Sequence, residues 1–515
     1  MQKISPHFPP IALAFGVMVI CAIAVKIIEN ISFSVSQTEK SLTSPTKITS
    51  PSPTQAASNS PTAITLPSPT EEALNSSTET TFPSLESPNN TGMLDEHLSF
   101  GDKILIKHEE TGGENQDFQA AKNRGSEQMA IGNYKQAVVE FQTAIEKYRN
   151  APETLIYLNN ARTIGQNPFT IAVVVPIGNN SNGALEILRG VAQAQNEVNQ
   201  AGGINGVPLK VLIANDDDDP KTAQNIALEL VNNSKALGVI GHFSSDATLA
   251  AGQEYDAGKL AAISPISTIT DPSQYIFYTV PSDTITARAL VKHMMTKLQK
   301  QKAAVFYNSQ SKYSMSLKTK FVEEVLASGG KIDEHLVFDL SNASFSARKS
   351  VEQAIAKRAQ VMMLASDSSM LDKALLVIQA NQKRLSLLGG NNLYSPKVLT
   401  DGGEAAVGLV AAVPWHIDAD PQSNFSRTSQ QLWQGKVNWR TATSYDAAQA
   451  LIAALKRNPT REGVQQSLAA ADFSATGASS KIRFSSFGDR YGSVQLVEVR
   501  PSTQPGTIYD FVPIR

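Results

Sequence analysis

The sequence predicts an α/β fold: two doubly wound parallel-sheet lobes joined by three crossovers, preceded by a short all-α segment and a disordered tether. Three observations predict it. Short apolar runs, each of a length suited to a buried strand, recur at 171–176, 209–214, 237–240, 260–263, 303–307, 331–338, 361–364, 385–388 and 407–413. Amphipathic helical patterns lie between most of them, as at 185–200 and 222–232, and that alternation specifies parallel sheets. The rhythm breaks at 275–280, before Pro281-Ser282-Asp283 starts a fresh series, and again at Val413-Pro414-Trp415. These breaks are read as the first two crossovers. Helices at 424–434, 444–457 and 461–470 then return to the first lobe, the segment near 481–484 makes the third crossover, and strands at 494–499 and 508–512 complete the second lobe. Lobe one is therefore about 168–281 with 415–480, and lobe two about 282–414 with 481–515.

Length and composition bound the answer. A chain of 515 residues exceeds a single ordinary core. Its 45 basic and 47 acidic residues leave a formal net charge of −2, so nothing invites nucleic acid or another polyanion. Cys21 is the one cysteine, which excludes a disulfide framework and a thiolate metal cluster.

Residues 1–30 read as a membrane-directing segment. The apolar run 11–25 follows Lys3 and His7 and is closed by Lys26. Extended to Ile28 it offers about 18 residues, enough for an anchor. The alternative is a removable signal peptide, with Ala22-Ile23-Ala24 as the small-residue cleavage site. A lipid on Cys21 is disfavoured by the bulky Ile20 before it. Since the basic flank lies at the N-terminus, the remaining chain is expected on the far side of the membrane. Residues 31–113, rich in Ser, Thr and Pro over 34–92, form the expected disordered tether.

Helical spacing returns at 114–166. Ala121, Gly125, Gly132, Tyr134, Ala137, Phe141 and Ala144 fall where a tetratricopeptide repeat places its small and aromatic packing residues, so the segment resembles one such unit. Pro152 stands a few residues late for the usual helix stop, and 153–162 would open a second, unfinished repeat. Since about three repeats are needed for a continuous core, this one is expected to pack on the neighbouring domain.

The candidate site lies where 237–240 and 260–263 end. The first turn, Ser244-Ser245-Asp246, puts hydroxyls and free amides at the mouth of a helix, which suits a carboxylate. The second, Ser264-Pro265-Ile266-Ser267-Thr268, offers the same groups from the next strand. Ligands of open α/β sheets settle outside the carboxyl ends of the strands. The acidic run 216–219 lacks the Gly and distal Glu of a calcium loop and reads as a helix entry at Asp219-Pro220. His242 reads as a hydrogen-bonded support beside the first turn. No nucleophile elbow, phosphate loop or dinucleotide fingerprint occurs, so neither enzyme chemistry nor a cofactor or metal is expected.

The stretch GHFSSDAT followed by AAISPISTIT resembles the paired ligand loops of the periplasmic type I solute-binding proteins, the leucine/isoleucine/valine-binding branch that feeds ABC importers. The resemblance takes in QAGGINGVPL at 200–209, NDDDDP at 215–220 and Tyr445-Asp446-Ala447, and covers 168 to about the C-terminus. It implies the type I periplasmic binding fold and a small polar ligand: an amino acid, amide or carboxylate. Residue by residue, it implies that Ser245, with Ser244 beside it, holds a ligand α-carboxylate, and that the Ile266 carbonyl accepts from the α-ammonium. Thr268, next to Ser267, would bridge both groups, and Tyr313 would close over the ligand from lobe two. Two departures stand out. The acidic partner of the ammonium falls at Asn391, and the aromatic of the first loop is missing from 178–183. Asp367, in Ala365-Ser366-Asp367, is the candidate to supply the lost charge; if it does not reach the cleft, the sequence favours a carboxylate or amide over a free amino acid.

The expected function is binding of such a solute outside the cytoplasm for ABC-type import, with the helical segment available to a permease or cell-envelope protein. The rival readings are a tethered scaffold, similar to lipoprotein activators of cell-wall synthases, and a sensor that reports closure through the repeat.

Overall fold

The computed structural model describes residues 95–108, 115–269, 273–478, 480–503 and 506–515. The expected membrane segment and most of the expected tether lie outside these residues. Among the described residues no helix is long and apolar enough to cross a membrane.

The described chain begins with a correction to the tether. Residues 95–108, assigned to it, are fastened to lobe one. Leu98–Ser99 (β1) pairs antiparallel with Ala214 and Ile213 of a strand described below. The cause is a set of buried anchors: Glu153 Oε1 accepts from the amides of Leu105 and Ile106 at 2.8 and 3.0 Å, and Lys122 Nζ donates to the Ile106 carbonyl at 2.8 Å.

Three helices follow, Gln116–Ala130 (α1), Tyr134–Lys147 (α2) and Pro152–Arg162 (α3). A Cβ on Gly125 would stand 2.5 Å from the Phe141 ring, so glycine is what lets α1 and α2 close. Pro152 starts α3 at its first turn rather than stopping α2, as a residue with no free N–H can. Every residue of α3 from Pro152 to Ala161 is buried. Asn160 explains much of this, exchanging hydrogen bonds with both the amide and the carbonyl of Val211, at 3.0 and 2.7 Å. These helices are thus a layer of lobe one.

Lobe one continues through Phe169–Val175 (β2), Ser181–Gln200 (α4), Leu209–Asn215 (β3), Pro220–Asn232 (α5), Ala236–Ile240 (β4), Ser245–Gly258 (α6), Ala262–Ser264 (β5) and Ile276–Tyr278 (β6). The sheet order is β1-β3-β2-β4-β5-β6, parallel from β3 to β6. The stretch at 275–280, read as a break, contains the last parallel strand, and the first crossover leaves after it.

Lobe two contains Asp283–Lys292 (α7), Lys302–Tyr307 (β7), Lys312–Ala327 (α8), Lys331–Asp339 (β8), Ala347–Ala356 (α9), Val361–Ala365 (β9), Leu371–Asn381 (α10), Ser386–Gly389 (β10), Pro396–Thr400 (α11), Gly403–Ala406 (α12) and Val410–Val413 (β11). The chain then returns to lobe one as Asn424–Trp433 (α13), Trp439–Arg457 (α14) and Arg461–Ala469 (α15). Tyr445 of α14 donates to Glu197 of α4 at 2.7 Å, and Arg461 donates to the Ala236 carbonyl at 2.8 Å. A small ribbon, Ala475–Thr476 (β12) with Lys481–Ile482 (β13), precedes the third crossover; Gln495–Pro501 (β14) and Tyr509–Pro513 (β15) close lobe two.

The second sheet has the order β15-β14-β11-β10-β9-β7-β8. It departs from the all-parallel expectation at one edge, where β14 is antiparallel to β11 and β15 to β14. The burial differs accordingly: β9 is buried along its whole length, whereas β14 mixes buried with exposed positions, as an edge strand covered on one face does. Setting the added edge strands aside, both sheets reverse their order next to the first strand, between β2 and β4 and between β7 and β9. Those switch points are where α/β sheets form crevices.

An interlobe ligand cleft

The loops leaving β3, β4 and β5 of lobe one face those leaving β7, β9 and β10 of lobe two across a cavity of about 370 Å³. Ser244, Ser245, Ile266, Ser267, Tyr313, Asp367 and Asn391, all expected from the sequence, line it. Thr268 does not line it. It is buried, its hydroxyl lacks a partner with hydrogen-bond geometry among the described residues, and it stands near the carboxyl of Asp283.

Local chemistry sets each group. Ser244 caps α6 by accepting from the Ala247 amide at 3.1 Å. The Ser267 hydroxyl donates to Ser245 Oγ at 3.0 Å, which ties together the turns of two neighbouring strands. In lobe two, Tyr313 donates to Asn391 Oδ1 at 3.1 Å. Gly390 permits that approach, since a Cβ there would lie 2.3 Å from the tyrosine oxygen. Burial holds the Tyr313 phenol well above its ordinary range, so it remains a donor. Asp367 accepts from Asn308 Nδ2 at 3.0 Å and from the Ser369 hydroxyl at 2.7 Å.

The acidic run proves to be four separate parts. Asp216 accepts from His242 Nδ1 at 2.7 Å, and His242 Nε2 meets the Tyr255 hydroxyl at 2.9 Å, so the histidine is a buried support as expected. Asp217 accepts from the Gly178 amide at 2.7 Å, and Asp219 caps α5 through the Thr222 amide at 2.8 Å. Asp218 accepts from the Ser244 amide at 3.0 Å and also lines the cleft.

Sequence reasoning anticipated Asp367 but missed the rest of the negative charge of this cavity. Asp218, Asp246 and Asp367 line it, and no Lys or Arg does. Burial pushes the Asp218 carboxyl up to about 6, opposed by its Ser244 hydrogen bonds. Burial also raises Asp246, and Asp367 across the cleft adds to that rise. Because Asp367 does reach the cleft, it can supply the negative charge absent at Asn391. Two contacts join the lobes here: Asp246 accepts from the Lys312 amide at 3.2 Å, and Arg440 of α14 donates to Asn392 at 3.3 Å. Burial lowers the Arg440 guanidinium to about 10. No signal in the sequence marked Asn308, Ser311 or Asn392, which are ordinary loop residues until the fold gathers them. Among the described residues no group of His, Cys, Asp and Glu could hold a metal ion.

Residues 168–504 match the model of the periplasmic binding protein family. The chain belongs to this family. Periplasmic binding proteins are solute-binding rather than catalytic, and they work outside the cytoplasm. An amino acid binding protein of Pseudomonas aeruginosa is 42% identical over 91 residues, which are 18% of this chain and 24% of that relative. The leucine-, isoleucine-, valine-, threonine- and alanine-binding protein of the same organism is 26% identical over 240 residues, 45% of this chain and 63% of its own. The matches thus span less than two thirds of either relative. Among solved structures, a leucine binding protein of Thermotoga maritima superposes with a TM-score of 0.58 at 21% identity, covering 66% of this chain and 97% of that one. A benzoate-bound solute binding protein of R. palustris does so with a TM-score of 0.55 at 17% identity, covering 67% and 96%. Those likenesses establish the type I two-lobed fold.

Proposed function

We propose that this protein is an extracytoplasmic receptor whose lobes close on an amino acid or similarly sized amine-bearing solute and present it to an ABC-type permease. The observation that carries this reading is the cleft itself, where Ser245 and Ser267 of lobe one oppose Asp367 of lobe two around one cavity. The ligand ammonium is assigned to Asp367, and its polar opposite end to the hydroxyls at the mouth of α6. The amino acids named for the relatives support the class of ligand. The three carboxylates refine it. Asp218, Asp246 and Asp367 make the cavity negative, so a carboxylate ligand with no ammonium to balance it meets uncompensated like charge. Amine-bearing solutes are therefore preferred over simple carboxylates such as benzoate. The 1–30 segment is assigned as the tether to the cytoplasmic membrane, facing the periplasm.

The scaffold or sensor reading draws support from Ile131 and Val139, apolar residues 73% and 55% exposed on the α1–α2 layer. A thermal-shift screen of the full-length chain against amino acids, amides, diamines and carboxylates separates the readings. A rise in melting temperature with amine-bearing solutes is expected; no shift with any solute would overturn the receptor reading in favour of the scaffold.

A further inference from the structure

Lobe two builds its wall of the cleft almost wholly from amides and hydroxyls, with Asn308, Gln310, Ser311, Asn391 and Asn392 among those around Asp367. Pro220, Phe243 and Ile266, the apolar side chains of the lining, all come from lobe one, and Tyr313 of lobe two presents a hydroxyl that donates to Asn391. An apolar ligand side chain would therefore strip water from polar groups on one wall without replacing it, which is costly. The mouth of α6 is selective in its own way. A helix N-terminus takes an anion through free amides. Here the Ser244 amide donates to Asp218 at 3.0 Å and the Ala247 amide to Ser244 Oγ at 3.1 Å, while Asp246 stands in the first turn. The chain's own carboxylates thus occupy the place of an external one. Two cations stand close by, exposed Lys312, whose charge acts on Asp246, and Arg440, which donates to Asn392, yet neither lines the cavity.

Resting on the receptor reading, we propose that the cleft is specified for an α,ω-diamine, with one ammonium on Asp367 of lobe two and the other on Asp218 and Asp246 of lobe one. An ammonium carries three donors and no acceptor, and this cavity offers it carboxylate oxygens together with the serine hydroxyls of the two turns. The charge of Asp367 is felt at Asp246 across the cleft, so two walls of like charge face one another. Positive charge at both ends of one ligand turns that repulsion into attraction and favours the closed arrangement of the lobes. A monoamine satisfies one wall and leaves the other. An apolar amino acid does the same and adds a carboxylate to the acidic side.

Calorimetric titration of the full-length chain at pH 8, where the Asp218 carboxyl with its value near 6 is ionised, tests the assignment. The probes are α,ω-diamines of three to six carbons, each set against the primary monoamine of the same chain length, with leucine as a third comparison. At least one diamine should bind with one site per chain and about 10- to 150-fold more tightly than its monoamine, the value of a hydrogen bond to a charged group. Asp218→Asn should shrink that ratio towards one. Asp246→Asn, at a half-buried position, should shrink it likewise and decides the matter if Asp218→Asn does not fold. Binding of leucine or a monoamine with no diamine bound more tightly would overturn the diamine assignment and leave the receptor reading standing. Binding of none of these compounds would overturn both, and a diamine preference that survives in both variants would overturn the placement of the second amine.

Discussion

Asp283, at the start of α7, is 2% exposed, and neither of its carboxyl oxygens meets hydrogen-bond geometry among the described residues. Burial pushes this carboxyl up to about 7, although the hydroxyls of Ser316 and Thr268 nearby oppose the shift. The folded state therefore holds a proton that the unfolded chain releases near pH 4, so stability falls as pH rises from about 4 to about 7. Asp283→Asn keeps the shape without the charge. In urea denaturation it should match the parent near pH 4 and exceed it by about 1–3 kcal/mol at pH 8; an equal difference at both values would contradict this. Asp218 gives a second, functional prediction. Affinity for a diamine, whose second amine lies at the α6 mouth, should rise between pH 5 and 7 as this carboxyl ionises about its value near 6, and Asp218→Asn should flatten that rise in calorimetry. The two residues also mark what a sequence can convey. Ser245 was legible because hydroxyls at a helix mouth carry their own chemistry. Asp218 was not, since its aim at Ser244 depends on positive φ at Asp217 and Asp218, 51° and 58°, which composition does not encode.

At the scale of elements, α1, α3 and the strip before them are held by one ion pair. Lys122 and Glu153 meet at 2.7 Å with both side chains fully buried. Removing one partner leaves a buried charge, so Lys122→Met should destabilise the chain by about 3–5 kcal/mol, while Lys122→Met with Glu153→Gln, which removes the charge yet keeps an acceptor for the Leu105 and Ile106 amides, should recover much of that loss. Thermal or urea unfolding of the two variants checks it, and equal losses would show that packing, not charge, dominates. Alternating apolar runs and helical patterns made the parallel strands other than β6 legible to within a few residues. The β1 strip escaped because Leu98, Phe100, Leu105 and Ile106 carry no periodicity of their own. Their partners lie far along the chain, at Ala214 and Glu153. The antiparallel edge at β14 and β15 escaped for a related reason, as strand direction is set by the hinge connection and not by the strand.

For the whole molecule, these attachments move the boundary of the folded unit. A fragment starting at 168 lacks α3, whose buried face covers α4 and β3 through Asn160. Expressed fragments 95–515 and 168–515 should differ, the first soluble and cooperative in unfolding, the second aggregated or strongly destabilised; equal solubility and melting would contradict the buried role of α3. The lobes in turn form one device. Asp246 with the Lys312 amide, and Arg440 with Asn392, span the cleft, so contacts that a ligand adds on both walls favour the closed arrangement.

The central claim is that this cleft binds an amine-bearing solute through Asp367. Calorimetric titration of the full-length chain and of Asp367→Asn with leucine, lysine and benzoate tests it most directly. A charge-assisted hydrogen bond is worth about 1.5–3 kcal/mol. Binding of an amino acid to the parent with one site per chain, about 10- to 150-fold weaker in Asp367→Asn and with benzoate the poorest ligand, is the predicted result. Amino acid binding that is unchanged in Asp367→Asn, or benzoate binding tighter than either amino acid, would contradict it.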